Sequence, residues 1–167
     1  DWHVATRADR KVYVRSGPTG CRPWGFGFTS SFRMGQLIRY SLQLPTDRDV
    51  KDSALEEFLA TTFVDALRAC LSKGGFAQKQ YEVERGGTFL LGHRGRLFTV
   101  ESDYQIAEQV EPYASVGAGD VYALGAFYAA ADLGDAEPER TVKLALRAAE
   151  AWSGAVSSPF HVVKVPS

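Results

Sequence analysis

The chain has 167 residues, of which 45% are hydrophobic and 23% charged, and its formal net charge is −1. This length and composition suit one globular domain, so residues 1–167 are expected to form a single domain. A chain without basic excess is not expected to bind nucleic acid, and no apolar run approaches the ~20 residues that span a bilayer. Since no signal peptide is visible either, we expect a cytoplasmic protein that contacts no membrane.

The elements of the first half start with two short strands, at Lys11–Val14 and Trp24–Phe28. The hydroxyls of residues 29–31 are suited to cap a helix that runs from about Phe32 to Leu42, and Pro45 ends that helix. These assignments rest on strand-forming residues, capping residues and helix breakers.

The clearest helix follows, where Ser53 and Glu56 are spaced as a capping box and Gly74-Gly75 ends the helical pattern. A polar stretch, Gln78 to Arg85, is predicted to be an exposed loop. The residues at helical spacing on the apolar face are Leu55, Phe58, Leu59, Thr62, Phe63, Ala66, Leu67 and Cys70.

The second half contains a predicted hairpin over Thr88–Val100 and a helix over Val121–Ala131 with Asp120 as its N-cap. A helix over Pro138–Trp152 and a closing strand over Phe160–Val165 complete the chain. Helices separated from antiparallel strands predict a layered α+β domain.

The cysteines and histidines give no strong signal of their own. Cys70 falls on the apolar face of a predicted helix, which favours a buried free thiol over a disulfide with Cys21. His3, His93 and His161 are not spaced as a metal cluster, and His93, near a hairpin tip, is expected to have a structural or surface role.

Four segments resemble motifs of proteasome β-subunits and of the bacterial ATP-dependent protease subunit related to them. They are the hairpin Thr88–Val100, the turn and helix start Val116–Ala123, the run Glu150–Gly154, and the pair Lys11-Val12. The second is similar to the family's Gly-Ser-Gly turn with its following Tyr-Ala, and the third to Asp-x-x-Ser-Gly. The resemblance implies an N-terminal nucleophile (Ntn) hydrolase fold, a four-layer αββα sandwich, and a homo-oligomer that is usually a ring.

In that family the first residue of the mature chain is the nucleophile, usually threonine, and its own α-amine takes the proton. This chain begins Asp1-Trp2-His3, and aspartate is not such a nucleophile. The resemblance therefore implies that the sequence is N-terminally truncated, so that the nucleophile and the first strands lie outside it.

The resemblance assigns catalytic roles to Lys11, Glu150 and Ser153. Lys11 would lower the pKa of the nucleophile through its charge, and the other two would support the amine. Glu150 stands where the family usually has aspartate, and Ser157 is an alternative to Ser153 in the alignment. From the residues alone, a solvated lysine, an exposed helical glutamate and a C-cap serine stay open.

The oxyanion region is expected among Gly27, Phe28, Thr29, Ala118 and Gly119, since the family uses a backbone amide there. Ala118 departs from the family's serine and has no side-chain hydrogen-bonding group, so Ser115 or a water would substitute, or activity would be reduced or absent. A phosphate-binding turn is disfavoured because a neighbouring aspartate would repel the anion.

The carbonyls of Ala151, Gly154 and Ser157 could hold a structural Na⁺ or Mg²⁺, with simple hydration of the helix end as the alternative. No cofactor is expected to be required. The resemblance implies a threonine-type endopeptidase that acts on unfolded peptide, with an ATP-dependent unfoldase as a further partner. A catalytically inactive subunit with an assembly or binding role and an Ntn amidase on a small amide are the alternatives.

Overall fold

The computed structural model describes residues 8–29, 31–80, 83–135 and 137–166, so Asp1, Trp2 and His3 lie outside the described residues. The strands are β1 (Val12–Arg15), β2 (Trp24–Phe28), β3 (Gln78–Gln80), β4 (Val83–Arg85), β5 (Phe89–His93), β6 (Arg96–Val100) and β7 (Ile106–Glu108). The helices are α1 (Phe32–Tyr40), α2 (Leu55–Phe58), α3 (Val64–Lys73), α4 (Asp120–Asp132) and α5 (Pro138–Trp152).

One antiparallel sheet contains five of the strands in the order β1-β2-β5-β6-β7, and β3 pairs with β4 in a separate hairpin. Successive side chains of a strand point to opposite faces, so the aromatic residues of β2 share one face and its glycines the other. The aromatic face forms the core with α1, α2 and α3. Its largest buried side chains are Trp24, Phe63, Phe89, Phe98, Met34, Ile38, Leu42, Leu55, Leu59, Leu67, Leu71 and Leu91.

Helix α1 starts at the predicted cap and lies unusually close to the sheet. The Ser31 hydroxyl accepts a hydrogen bond from the Met34 N–H at 3.3 Å. A Cβ at Gly35 would overlap the ring of Phe28, and the Tyr13 hydroxyl donates to the Gly35 carbonyl at 3.1 Å. A glycine is therefore required where the helix crosses the strands.

The second helical region is continuous but differs from its prediction in two places. Ser53 lies inside a 3₁₀ turn over Asp52–Ala54, and Ala54 is the N-cap of α2 without a side-chain bond, so the predicted capping box is wrong. A π-helical turn over Leu59–Phe63 joins α2 to α3, and the extra residue in the turn leaves Thr62 exposed. The helix ends at Gly74 as predicted.

A buried polar cluster ties the loop before α2 to the hairpin of β5 and β6. Asp47 is fully buried, and its Oδ2 accepts from His93 Nε2 at 2.7 Å and from Arg94 Nε at 2.8 Å. His93 is also buried, stacked on Trp24 with ring centroids 3.9 Å apart. The structural role expected for His93 is confirmed, and the alternative of a surface role is wrong because its ring lies under the loop.

The cluster predicts how stability depends on pH. Burial raises the pKa of Asp47, but hydrogen bonds from Cys21 and His93 and the charges of His93 and Arg94 outweigh it, so the pKa lies below its ordinary value. A lowered folded-state pKa gives stability that is complete above the unfolded-state pKa of about 3.9 and is lost as pH falls through the folded-state pKa. The difference in unfolding free energy between wild type and Asp47→Asn should shrink as pH falls from about 5 to 3.

Urea unfolding midpoints measured across this pH range check the prediction, with Asp49→Asn as the control because Asp49 is an exposed aspartate of the same loop. A difference between wild type and Asp47→Asn that persists unchanged at pH 3 would contradict it.

The other face of the sheet borders a cavity of about 670 Å³. Val12, Leu90 and Leu97 line it from the sheet, and Phe127 and Val142 line it from α4 and α5. The described residues thus form a helix layer, one sheet, a cavity and a second helix layer. The antiparallel sheet agrees with the α+β prediction, whereas the four-layer sandwich is not confirmed because one of its two sheets is not among the described residues.

Four further assignments need correction. Residues 78–85, predicted as a loop, contain the hairpin of β3 and β4, and β7 was not predicted. Gly119, not Asp120, is the N-cap of α4. The predicted strand Phe160–Val165 is not formed, because Val165 packs its side chain against Gly25 on the face of the sheet instead of pairing at an edge.

Both cysteines are free, as predicted, and the Cys70 thiol donates to the Leu37 carbonyl at 3.6 Å. Burial raises the pKa of Cys70. Among the helices of the described ranges, none has the length and apolarity needed to cross a bilayer.

Candidate functional site

The candidate site lies at the C-terminal end of β2. The Phe28 N–H donates to the Lys11 carbonyl at 3.0 Å, and the Thr29 N–H donates to the Thr88 carbonyl at 3.4 Å. Phe28 itself is 7% exposed, with its ring in the core, so only its backbone can contribute to a site. Gly27 lies beside the cavity on the opposite face.

The glycine-rich turn before α4 packs on this strand end. Gly117 has φ +114°, and a Cβ there would lie 2.9 Å from the Thr29 hydroxyl oxygen. At Gly119, a Cβ would lie 2.8 Å from the Cβ of Ala149 in α5. The two glycines therefore let the turn fit between β2 and α5.

The end of α5 completes the arrangement. The Ser153 hydroxyl donates to the Ala118 carbonyl at 3.3 Å. The Glu150 carboxylate accepts from the Ser158 N–H at 2.7 Å, which ties the last helix to the segment that follows it. Ser157, the alternative in the alignment, is exposed.

The structure brings together some of the residues predicted for the site. The Lys11 backbone, Phe28, Thr29, Ala118 and Ser153 form one chain of contacts, although they are far apart in sequence. The Lys11 and Glu150 side chains do not join it. The Lys11 ammonium lies over the Phe32 ring, 5.3 Å from its centroid, and the Glu150 carboxylate is engaged with the following segment.

Gly117 is a position at which we expect substitution to be costly. Alanine at this φ would be strained and would press on Thr29, so Gly117→Ala should lower the free energy of unfolding by about 1–3 kcal/mol. Gly125 in α4 is the matched control, because a Cβ there meets nothing within 4 Å and alanine favours a helix by about 1 kcal/mol. Urea unfolding of both variants checks the prediction; equal effects would contradict it.

The cation site stays a prediction. Ala151 lies in the last turn of α5, and Gly154 and Ser157 follow the helix; all three are exposed. Within the described ranges, His, Cys, Asp and Glu form no group of three or more that could hold a metal ion. That finding concerns side chains and leaves the proposed carbonyl ligands untested.

Sequence reasoning missed the contact that joins the two halves of this site. Gly117 was part of a recognised turn, but its positive φ and its packing on Thr29 were not predicted. The only signal was the pair of glycines around Ala118, which is compatible with many turns.

Solved structures of other proteins share this arrangement of strands and helices. BPH from Thiobacillus denitrificans, in complex with epoxomicin, is 21% identical, with a TM-score of 0.69 over 90% of this chain and 75% of its own. Anbu, an ancestral β-subunit from Yersinia bercovieri, is 18% identical, with a TM-score of 0.60 over 90% of this chain and 68% of its own. This chain has the fold of these proteins.

A third match, an Anbu (Gly-1) mutant from Hyphomicrobium sp. strain MC1, is 19% identical, with a TM-score of 0.59 over 90% of this chain and 65% of its own. No protein-family model and no curated protein matches the chain. One of these solved structures is an ancestral β-subunit, so the shared fold agrees with the resemblance to proteasome β-subunits.

Proposed function

We propose that the chain is part of a threonine-type endopeptidase of the Ntn class. Its nucleophile is not this chain's first residue, Asp1, and lies outside this sequence. The observation that carries the proposal is the meeting of Thr29, Ala118 and Ser153 at one end of β2. The fold shared with BPH, which was solved with epoxomicin bound, supports it. In the proposed reaction a hydroxyl attacks the peptide carbonyl, and a free α-amine takes its proton.

The described residues suggest how the oxyanion would be stabilised. The Thr29 N–H already donates to Thr88, so the amides of Ala118 and Gly119 are the better candidates. Both are held by the packing of the turn, and donors fixed before the reaction stabilise a developing charge most effectively. Lys11 would move from the Phe32 ring to the nucleophile, which its flexible stem permits.

The test uses the natural chain with any segment encoded upstream. Incubation with epoxomicin should give one adduct per chain, located by intact mass and peptide mapping at the first residue of the mature protein. The protein should also hydrolyse peptides. Lys11→Ala should lower kcat/KM by about 10²-fold or more if its charge acts on the nucleophile, whereas Arg10→Ala should not. No adduct together with no turnover would overturn the proposal.

An inactive subunit is the second candidate, and Ala118 favours it. Its methyl group offers no hydrogen bond to a nucleophile's amine. Finding a residue other than Thr, Ser or Cys at the mature N-terminus would support this candidate. An amidase would instead form the adduct but hydrolyse small amides in preference to peptides, which a substrate panel would reveal.

We also propose that a second sheet fills the 670 Å³ cavity, which would complete the four-layer sandwich. Both walls are largely apolar, and Gly27 on the sheet wall permits a close approach, whereas Gly25 is already covered by Val165. The matched BPH and Anbu chains extend beyond the matched region, since this chain covers 75% and 68% of them. The strands would come from residues preceding the described part of the chain.

A comparison of the 167-residue chain with a chain extended upstream tests the second sheet. The extended chain should bind less of the hydrophobic dye ANS and unfold at a higher temperature, because the cavity walls are covered. The same dye binding in both chains would contradict this proposal without affecting the endopeptidase proposal.

Self-association is proposed through the outer face of α4. This helix is apolar on all sides, a pattern typical of a helix that is buried all round. Yet Val121 and Tyr128 are 65% and 67% exposed, and Leu133, which follows the helix, is 84% exposed. A second copy of the chain is the proposed occupant, in agreement with the proteasome-like assemblies of Anbu proteins.

Sedimentation velocity tests this surface. Tyr128→Glu should shift the protein to smaller species, whereas Tyr40→Glu should not, although Tyr40 is 72% exposed on α1. Identical distributions for both variants would contradict the proposal. An enclosed assembly would admit unfolded peptide but not folded proteins. We therefore propose an ATP-dependent unfoldase as a further partner.

A further inference from the structure

A polar recess of about 300 Å³ lies between the loop before β2, the loop before α2 and the β5–β6 turn. We call it the arginine recess, and its lining includes Gly20, Cys21, Arg22, Arg48, Asp52 and Arg94. It adjoins the Trp24 end of β2, whereas the candidate site adjoins the Phe28 end, about 13 Å away along the strand. The recess is therefore a separate feature of the molecule.

Two of the three guanidinium groups are held in place. Arg48 lies flat on the loop at Gly20, where a Cβ would come within 2.7 Å of its Nε, and its Nη2 donates to the Thr19 carbonyl. Gly20 also has φ +81°, so glycine is favoured there both by its backbone conformation and by the contact with Arg48. Arg94 is held by the carboxylate of Asp47 and by the Val50 carbonyl at 2.8 Å.

The charges around the recess do not balance. Arg22, Arg48 and Arg94 face it, and the acidic residue of its lining is Asp52, which is 86% exposed and bonds to Arg94 at 3.1 Å. Asp47 lies beneath, and its charge is already shared by Arg94 and His93. Arg22 and Arg48 therefore supply the excess positive charge.

Donor capacity remains as well. A guanidinium carries five N–H groups, and the polar contact of Arg48 within the described residues uses one of them. The forked geometry of guanidinium groups matches two oxygens of a phosphate at once. The held and partly unused guanidinium of Arg48, beside the guanidinium of Arg22, suits such an oxyanion.

We propose that the arginine recess binds an oxyanion of the phosphate class, either free or carried by a larger ligand. Arg48 and Arg22 contact the oxyanion, and Arg94 contributes charge from the wall of the recess. The inference does not depend on the proposed peptidase activity, because it rests on residues at the opposite end of β2.

Cys21 provides a reporter inside the recess. Its thiol is half-buried, with Sγ 3.4 Å from the Thr46 hydroxyl and the Asp47 carboxylate also beside it, and Cys70 is the other cysteine of the chain. In a Cys70→Ser background, alkylation by the anion iodoacetate and by neutral iodoacetamide can be compared at one ionic strength. The ratio of the two rates measures the local potential independently of thiol exposure.

We expect the rate with iodoacetate, divided by the rate with iodoacetamide, to be higher for Cys21 than for free cysteine. In Arg48→Gln this ratio should fall about fivefold, because the loss of one nearby charge has an effect of this order. Millimolar inorganic phosphate, but not chloride, should slow both reactions, and Arg48→Gln and Arg22→Gln should abolish this protection. Arg140→Gln, which changes an exposed arginine of α5, is the matched control. The same measurement with glycerophosphate shows whether a phosphate group that is part of a larger molecule also binds.

Three outcomes would overturn the proposal. They are a rate ratio equal to that of free cysteine, protection by chloride equal to that by phosphate, or phosphate protection that persists in Arg48→Gln. Circular dichroism of each variant shows whether it is folded. If Arg48→Gln does not fold, Arg22→Gln alone decides, because Arg22 is exposed and has no polar partner among the described residues.

Discussion

Replacing Asp47 with alanine is expected to lower the free energy of unfolding by about 3–5 kcal/mol, the cost of breaking a buried ion pair from one side. Asp47 is fully buried and accepts hydrogen bonds from His93 at 2.7 Å and from Arg94 at 2.8 Å. Without the carboxylate, the His93 ring stays buried with one nitrogen unpaired, and the Arg94 charge loses its partner. The loop before α2 would then lose its attachment to the β5–β6 hairpin.

Urea unfolding followed by tryptophan fluorescence measures this effect. Asp49→Ala is the matched control, because Asp49 is exposed two residues further along, and such surface changes usually stay within about 0.5 kcal/mol. Asp47→Asn should cost less than Asp47→Ala, since its amide oxygen still accepts a hydrogen bond. Equal stabilities for the two alanine variants would show that the cluster contributes nothing.

Trp24→Ala is expected to lower the free energy of unfolding by about 3–5 kcal/mol, as large-to-small substitutions of aromatic core residues do. Trp24 is fully buried between two rings, stacked on Phe63 at 5.3 Å and on His93 at 3.9 Å. Alanine would leave a cavity at the junction of β2, the π-helical turn and the polar cluster, and rigid strands limit its collapse.

Circular dichroism is the appropriate probe, because the substitution removes a fluorophore. Trp152→Ala is the matched control, since Trp152 is 75% exposed at the end of α5. Trp24→Phe should fall between wild type and alanine, because it keeps a ring and removes an indole N–H that has no partner in the described structure. Equal losses for Trp24→Ala and Trp152→Ala would contradict the prediction.

The residues proposed for the site were chosen through resemblance rather than through spacing, and their catalytic roles stay predictions. Thr29, Ala118 and Ser153 lie far apart in the chain, and no periodicity connects them. Their meeting depends on Gly117 and Gly119, which let the turn pack against both β2 and α5. The positions of the Lys11 and Glu150 side chains were not predicted, because Lys11 lies over a ring of α1 and Glu150 accepts from the segment that follows α5.

By itself, the sequence determined the elements that local chemistry controls. Alternating aromatic residues and glycines define β2, Gly74 ends α3, and Arg94 and Gly95, with φ of 52° and 72°, make the tight turn of the β5–β6 hairpin. In each case, the deciding interactions lie within a few residues of one another.

Only the tertiary structure decided the features that join distant residues. From the sequence, Asp47 is a solvated loop residue, but in the structure it meets His93, 46 positions away. The predicted strand Phe160–Val165 is replaced by the packing of Val165 on the face of the sheet. When the burial or pairing of a residue depends on a partner far away in the sequence, the pattern of apolar residues around it does not reveal it. The cavity beside the sheet and the arginine recess belong to the same class, since each has walls contributed by separate elements.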